Sequence, residues 1–266
     1  MYWDHLLTLA DEVQYLWKRP VRASTVLFFL NRYLAVLGNI VVTVSLLSTD
    51  LPESSCQLFY IFHQFLLVVM QIIIGLLLTI RIYALYHRNK RVLTALLFIA
   101  AILTALAILS MFFRQSSQSK KSSVGCRTEL TFISSVQIAA AWEALFLYDS
   151  TLFAMTLYRA YKTRHELHIL RELRISLLVI LLRDGSLYFG IMAFANALNI
   201  ATFYYPLPYL RGVLTTFASS ISVTMMSRLM FNLHKIADSG LYTSHMTTVT
   251  DDPFIAPPPD TLQSLG

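Results

Sequence analysis

Six stretches of nearly unbroken apolar residues, at roughly 24–47, 58–80, 92–113, 131–157, 175–199 and 212–233, are separated by short polar connections. Each approaches or exceeds the about 20 residues that a helix needs to cross a hydrocarbon core. No proline interrupts their interiors. Backbone groups in lipid must be satisfied within the segment, so the pattern predicts an all-α integral membrane bundle of six transmembrane helices over 23–233, not barrel strands. Ahead of it, residues 1–22 place Trp3, Leu6, Leu7, Ala10, Val13 and Trp17 at helical spacing. That spacing predicts an amphipathic helix, read either as a membrane-surface helix or as the remnant of a first span. It has neither the basic start nor the apolar run of a signal peptide. Residues 234–266 form a tail; from about Ser239 it loses apolar periodicity and reaches a proline-rich end, so disorder is expected there.

Composition agrees. Apolar residues make up 56% of the 266 and charged residues only 14%, against about 25% charged in soluble domains. The net charge of +6 does not point to nucleic acid, because the basic residues gather in short clusters between apolar runs. Counting those clusters gives an orientation. Lys18, Arg19, Arg22, Arg81, Arg88, Lys90, Arg91, Arg159, Lys162, Arg164, Arg171, Arg174 and Lys235 fall in one set of alternating connections. Only Arg114, Lys120, Lys121, Arg127 and Arg211 fall in the other. Cytosolic loops retain Lys and Arg, so both termini are expected on the cytosolic side.

Candidate chemistry is sparse. The two cysteines, Cys56 at the mouth of the second span and Cys126 in the following outer connection, both fall on the non-cytosolic side, where a disulfide between them would persist; two buried thiols are the alternative. Charges inside spans are costly, yet Arg32, Asp149, Arg183 and Asp184 each lie eight or nine residues from the cytosolic end of their helix. At about 1.5 Å per residue this is one level, roughly 12–14 Å deep. The expectation is an intramembrane ionic layer, with snorkelling of the two arginines as its rival. Glu143, beside Trp142 near the middle of its span, has no charge at its own level and is the best ligand-binding candidate; a neutral Glu143 bonded to Gln71 or Asn196 is the alternative. Arg81 and Tyr83 close the second span on the cytosolic side, where they would either contact a partner or anchor the helix in the interface. His165, Glu166 and His168 fall one residue short of the zinc-protease spacing, and no nucleotide loop, nucleophile elbow or paired C-x-x-C occurs. No catalytic residue, metal or cofactor is expected.

YWDHLLTLADEVQYLWKR at the start, VLFFLNRYLA at Val26–Ala35, and RIYALY after the second span resemble the signature of a fungal multipass membrane family, domain of unknown function 6533. The resemblance implies seven spans, with Asp4 to Leu9 at the inner end of the first, so that most of one helix would precede this sequence; a six-spanning member is the other reading. With that helix restored, Cys56, Cys126 and Arg81 occupy positions similar to the helix-three disulfide and helix-three arginine of rhodopsin-like receptors. Ile80 and Ile82 replace the flanking acid and aromatic, 175–199 carries no proline, and no N-P-x-x-Y closes the last span. The expected function is a receptor-like sensor, in the plasma membrane rather than an internal one, that passes an outside signal to a cytosolic partner. The alternatives are a transporter or channel using the Arg/Asp layer, and a scaffold without ligand.

Overall fold

The computed structural model describes residues 2–17, 23–48, 53–112, 119–121, 126–128, 132–170, 175–205, 207 and 210–250. The chain opens with two short helices, α1 (Tyr2–Leu7) and α2 (Leu9–Glu12), and a π-helical turn, Val13–Trp17. Six long helices follow: α3 (Ala23–Leu47), α4 (Glu53–Leu85), α5 (Lys90–Phe112), α6 (Phe132–Leu170), α7 (Ile175–Phe203) and α8 (Thr215–Thr250). Between α5 and α6 two three-residue strands, β1 (Ser119–Lys121) and β2 (Cys126–Thr128), pair antiparallel with Lys121 opposite Cys126. The bundle therefore has a hairpin end and, opposite it, a basic end that carries the N-terminal helices and the α4–α5 turn.

Each apolar stretch holds a long helix, and several helices outrun their stretch. Helix α4 ends where His87 and Arg88 adopt positive φ (54° and 58°), a left-handed conformation that breaks the helical path. Asn89 then caps α5, its Oδ1 accepting the Arg91 amide at 3.0 Å. Helix α8 runs to Thr250, past Ser239, where composition alone predicts the end of order. The first proline in this region is Pro253, so up to Thr250 no residue lacks the amide donor a helix requires.

Among the described residues, five helices are long and apolar enough to cross a membrane: Ala23–Ser45, Leu58–Leu85, Lys90–Leu109, Phe132–Lys162 and Gly185–Phe203. Helix α8 is long but more polar, which separates it from the six-fold pattern expected from the sequence. Its serines and threonines are accommodated by bonding back one turn, as in Ser222 to Ala218 O, Thr224 to Ser220 O and Ser227 to Val223 O. Its buried face, including Val223, Met226, Leu229 and Phe231, joins the main core.

Consecutive helices pack side by side, and α4 additionally meets α6 and α8, so it touches α3, α5, α6 and α8. Phe28, Leu77, Leu78, Ile82, Leu152, Phe189 and Met226 are almost fully buried along this central seam. Gly38 lets α3 approach α4, because a Cβ there would collide with the Leu66 side chain. At the hairpin end a smaller cluster gathers Ile138, Ala139, Trp142 and Phe203. Gly212, at φ +70° and with a Cβ position 2.7 Å from the Phe203 ring, turns the chain into α8.

Candidate functional site

A cavity of about 520 Å³ lies between α4, α5 and α6. One face of α4 supplies Gln64, Gln71, Gly75 and Thr79, which fall at helical spacing on a single stripe. Helix α5 contributes mainly small residues such as Ala100 and Thr104, and α6 contributes Trp142 and Tyr148. The walls are apolar apart from a few amide and hydroxyl groups, and among the described residues no Asp, Glu, Lys or Arg lines them. Thr79 and Tyr148 close the floor: their hydroxyls are 2.6 Å apart, and Thr79 donates to Gly75 O at 2.6 Å. Gln71 remains open. Its Nε2 is buried and has no hydrogen-bond partner among the described residues, although an unsatisfied amide at this depth is unfavourable.

Of the two ligand-binding candidates, Trp142 lines this cavity and Glu143 does not. Glu143 accepts a hydrogen bond from Tyr204 Oη at 2.6 Å. Tyr204 follows α7, beyond its apolar segment, and this bond raises its phenol above the ordinary range, with burial adding to the shift. Neither Gln71 nor Asn196 is the partner of Glu143, as the sequence alternative had it.

The intramembrane charges are distributed differently from the expected layer. Arg32 pairs with Glu12, Nε to Oε2 at 2.8 Å, with side chains 3% and 0% exposed. Its Nη2 also donates to His5 O at 2.8 Å. Glu12 Oε1 accepts from Tyr33 Oη at 2.7 Å and from Trp17 Nε1 at 3.2 Å. Asp149 instead accepts from Asn196 Nδ2 at 3.0 Å, while Asp149 Oδ1 and Asn196 Oδ1 have no hydrogen-bond partner among the described residues. Arg32 and Asp149 thus answer to different partners. The physical reason is that the N-terminal segment folds back and brings its own carboxylate to Arg32. The side chains of Arg183 and Asp184 lie outside the described residues, although their backbone belongs to α7.

Glu12 is the buried charge partner that the sequence alone did not single out. A signal was present: Asp4, His5 and Glu12 share the helix side opposite Trp3, Leu6, Leu7, Ala10, Val13 and Trp17. In the structure those six apolar residues are all exposed, Trp3 at 72%, whereas Glu12 is fully buried. The polar side faces the bundle and the apolar side faces outward, as suits a helix bounded by lipid. A second ion pair, Asp4 to Arg228 of α8 at 2.5 Å, fixes the other end of the segment.

Arg81 is directed at α7 and not away from the bundle. A Cβ added at Gly185 would lie 2.6 Å from Arg81 Nη2, and Arg81 Nη1 is buried without a hydrogen-bond partner among the described residues. Tyr83 is half-buried, and its carbonyl accepts the Arg88 amide at 2.9 Å. At the same end Arg159 Nη2 meets His87 Nε2 at 2.6 Å and its guanidinium lies over the Tyr86 ring. The Cys56 and Cys126 side chains lie outside the described residues; their backbones belong to α4 and β2, which are in contact. Among the described residues no group of three or more His, Cys, Asp or Glu gathers as a metal site.

Residues 1–37 match the model of a family of unknown function, DUF6533. These are the residues that carry the Glu12–Arg32 pair. Neither the curated proteins nor the solved structures contain a match to this chain.

Proposed function

We propose that this multipass membrane protein is a receptor-like sensor in which α4 connects a ligand cavity to a partner surface. The observation that carries the reading is the position of two features on one helix. Gln71 faces the cavity and Arg81 is held against α7, ten residues apart, or about 15 Å along the axis. A ligand that reseats α4 against α5 and α6 also shifts the guanidinium relative to Gly185, and α7 is the element it would release.

In this reading the basic end, with Arg81 and Tyr83, faces the cytosol in the plasma membrane, following the distribution of Lys and Arg. The hairpin end faces outward, and contact between α4 and β2 supports a Cys56–Cys126 bridge there. Glu143 and Tyr204 then sit at the outer mouth. Co-expression with reporter-coupled G proteins tests the proposal. Gly185→Val is expected to displace Arg81 and raise basal coupling, and Arg81→Gln to abolish it. Absence of coupling to every subunit, with both variants silent, removes the sensor reading.

The transporter reading is favoured by one observation, the two buried oxygens of Asp149 and Asn196 that lack hydrogen-bond partners among the described residues. Proton or cation flux in proteoliposomes that disappears in Asp149→Asn would support it, and flux indifferent to that change counts against it.

A further inference from the structure

We infer that the α4–α5–α6 cavity is a site for an uncharged amphiphile drawn from the bilayer: an elongated apolar body bearing one hydroxyl or carbonyl oxygen that accepts a hydrogen bond from Gln71. As a binding site this rests on the cavity alone; its role as the activating ligand rests on the sensor reading above.

Four observations define the occupant. The volume, about 520 Å³, is within the range of roughly 300–1,000 Å³ typical of small-molecule sites. The absence of ionised side chains in the lining disfavours a carboxylate, phosphate or ammonium, whose burial without a counter-charge is costly. The polar groups are not equivalent. Thr79 and Tyr148 satisfy each other at the floor, whereas Gln71 Nε2 is a buried donor with no acceptor among the described residues. Gln71 also stands near the middle of the Leu58–Leu85 segment, at a depth where water is scarce and a bilayer solute is the available acceptor.

The route is set by α5. Only 6% of its apolar segment is buried, so it is a thin outer wall with lipid on its far side, and half of its cavity-lining residues are alanine. A solute already partitioned into the membrane passes this wall without crossing water. Phe98 and Leu106, at 68% and 55% exposure, point outward from the same helix, so α5 keeps its lipid-facing side while its small side forms the cavity.

The test uses the full chain in nanodiscs of phosphatidylcholine, with diazirine-bearing hexadecanol as probe and the corresponding fatty acid and diazirine-bearing phosphatidylcholine as comparison arms. The alcohol is expected to label α4 and α6 peptides saturably and to be displaced by unlabelled hexadecanol. Gln71→Leu, which keeps bulk and removes the donor, should weaken apparent affinity about threefold to tenfold, the factor that one intramembrane hydrogen bond of about 0.6–1.4 kcal/mol supplies. Gly75→Leu should abolish labelling: a Cβ there meets only the Tyr148 ring at 3.7 Å, so the side chain grows into the cavity without disturbing the helix contact. Circular dichroism on both variants confirms that they fold. Equal labelling by alcohol, acid and phospholipid, or labelling unchanged in both variants, overturns the site. Saturable binding without G-protein coupling leaves the site and removes the sensor; coupling without binding does the reverse.

Discussion

Arg32 shows how a single charge organises this molecule. A guanidinium 3% exposed inside an apolar helix is tolerated because Glu12 meets it at 2.8 Å and Tyr33 and Trp17 occupy the carboxylate's other oxygen. Removing one member of such a pair costs about 3–5 kcal/mol, since the other is left buried and uncompensated. Arg32→Met is therefore expected to lower the midpoint of thermal unfolding in detergent sharply. The double variant with Glu12→Gln should lose less than the two single losses combined. His5 adds a pH dependence. Burial, and then the nearby Arg32 charge, hold its imidazole below the ordinary value near 6.5, against smaller opposing effects of Glu12 and Asp4. The folded state thus binds its proton more weakly than the unfolded chain does. This contribution to stability is fully present above about pH 6.5 and declines as pH falls below it. The unfolding midpoint should fall less between pH 7.5 and 5.5 in His5→Gln than in the parent chain.

At the level of elements, the N-terminal helices are inverted relative to a soluble amphipathic helix: Glu12 points in, and Trp3, Leu6 and Trp17 point out at 61–72% exposure. Brominated lipids should quench Trp3 and Trp17 fluorescence in a Trp142→Phe background, and the absence of quenching would place this face in water. The Asp4–Arg228 link is different in kind. Arg228 is 47% exposed, and ion pairs of that exposure contribute about 0–1 kcal/mol, so Arg228→Ala should hardly move the unfolding midpoint. The α3–α4 contact is more demanding. With Leu66 filling the space beside Gly38, Gly38→Ala overpacks the seam, and a loss of about 1–3 kcal/mol is expected in the same unfolding assay.

On the scale of the whole molecule, α4 is the axis: it packs along α3, α5, α6 and α8, lines the cavity and sets Arg81 against α7. The proposed orientation is checked by epitope tags in the 114–130 and 159–174 connections, the first accessible on intact cells and the second only after permeabilisation; the reverse pattern inverts every functional assignment. Apolar run length was legible because the lipid dimension dictates it, and so α3 to α7 begin and end within a few residues of the expected spans, apart from the extensions of α4 and α6. Which face of a helix is buried was not legible: on α6 Ser135 and Ala139 are fully buried, and on α7 the buried side holds Met192, Ala195, Asn196 and Asn199. Depth along a helix is fixed by sequence position, whereas azimuth depends on which neighbours pack there. That is why Arg32, Asp149, Arg183 and Asp184 could be assigned one level from the chain alone, yet the partner of Arg32 could not. The sequence by itself determined a lipid-embedded helical bundle and the apolar core of each helix, because these follow from local hydropathy, and its charge asymmetry, because that follows from the placement of Lys and Arg. Only the tertiary structure decided that Glu12 neutralises Arg32, that Asn196 meets Asp149 and that Gln71 faces an open cavity, because each depends on side chains far apart in the chain meeting across helix faces.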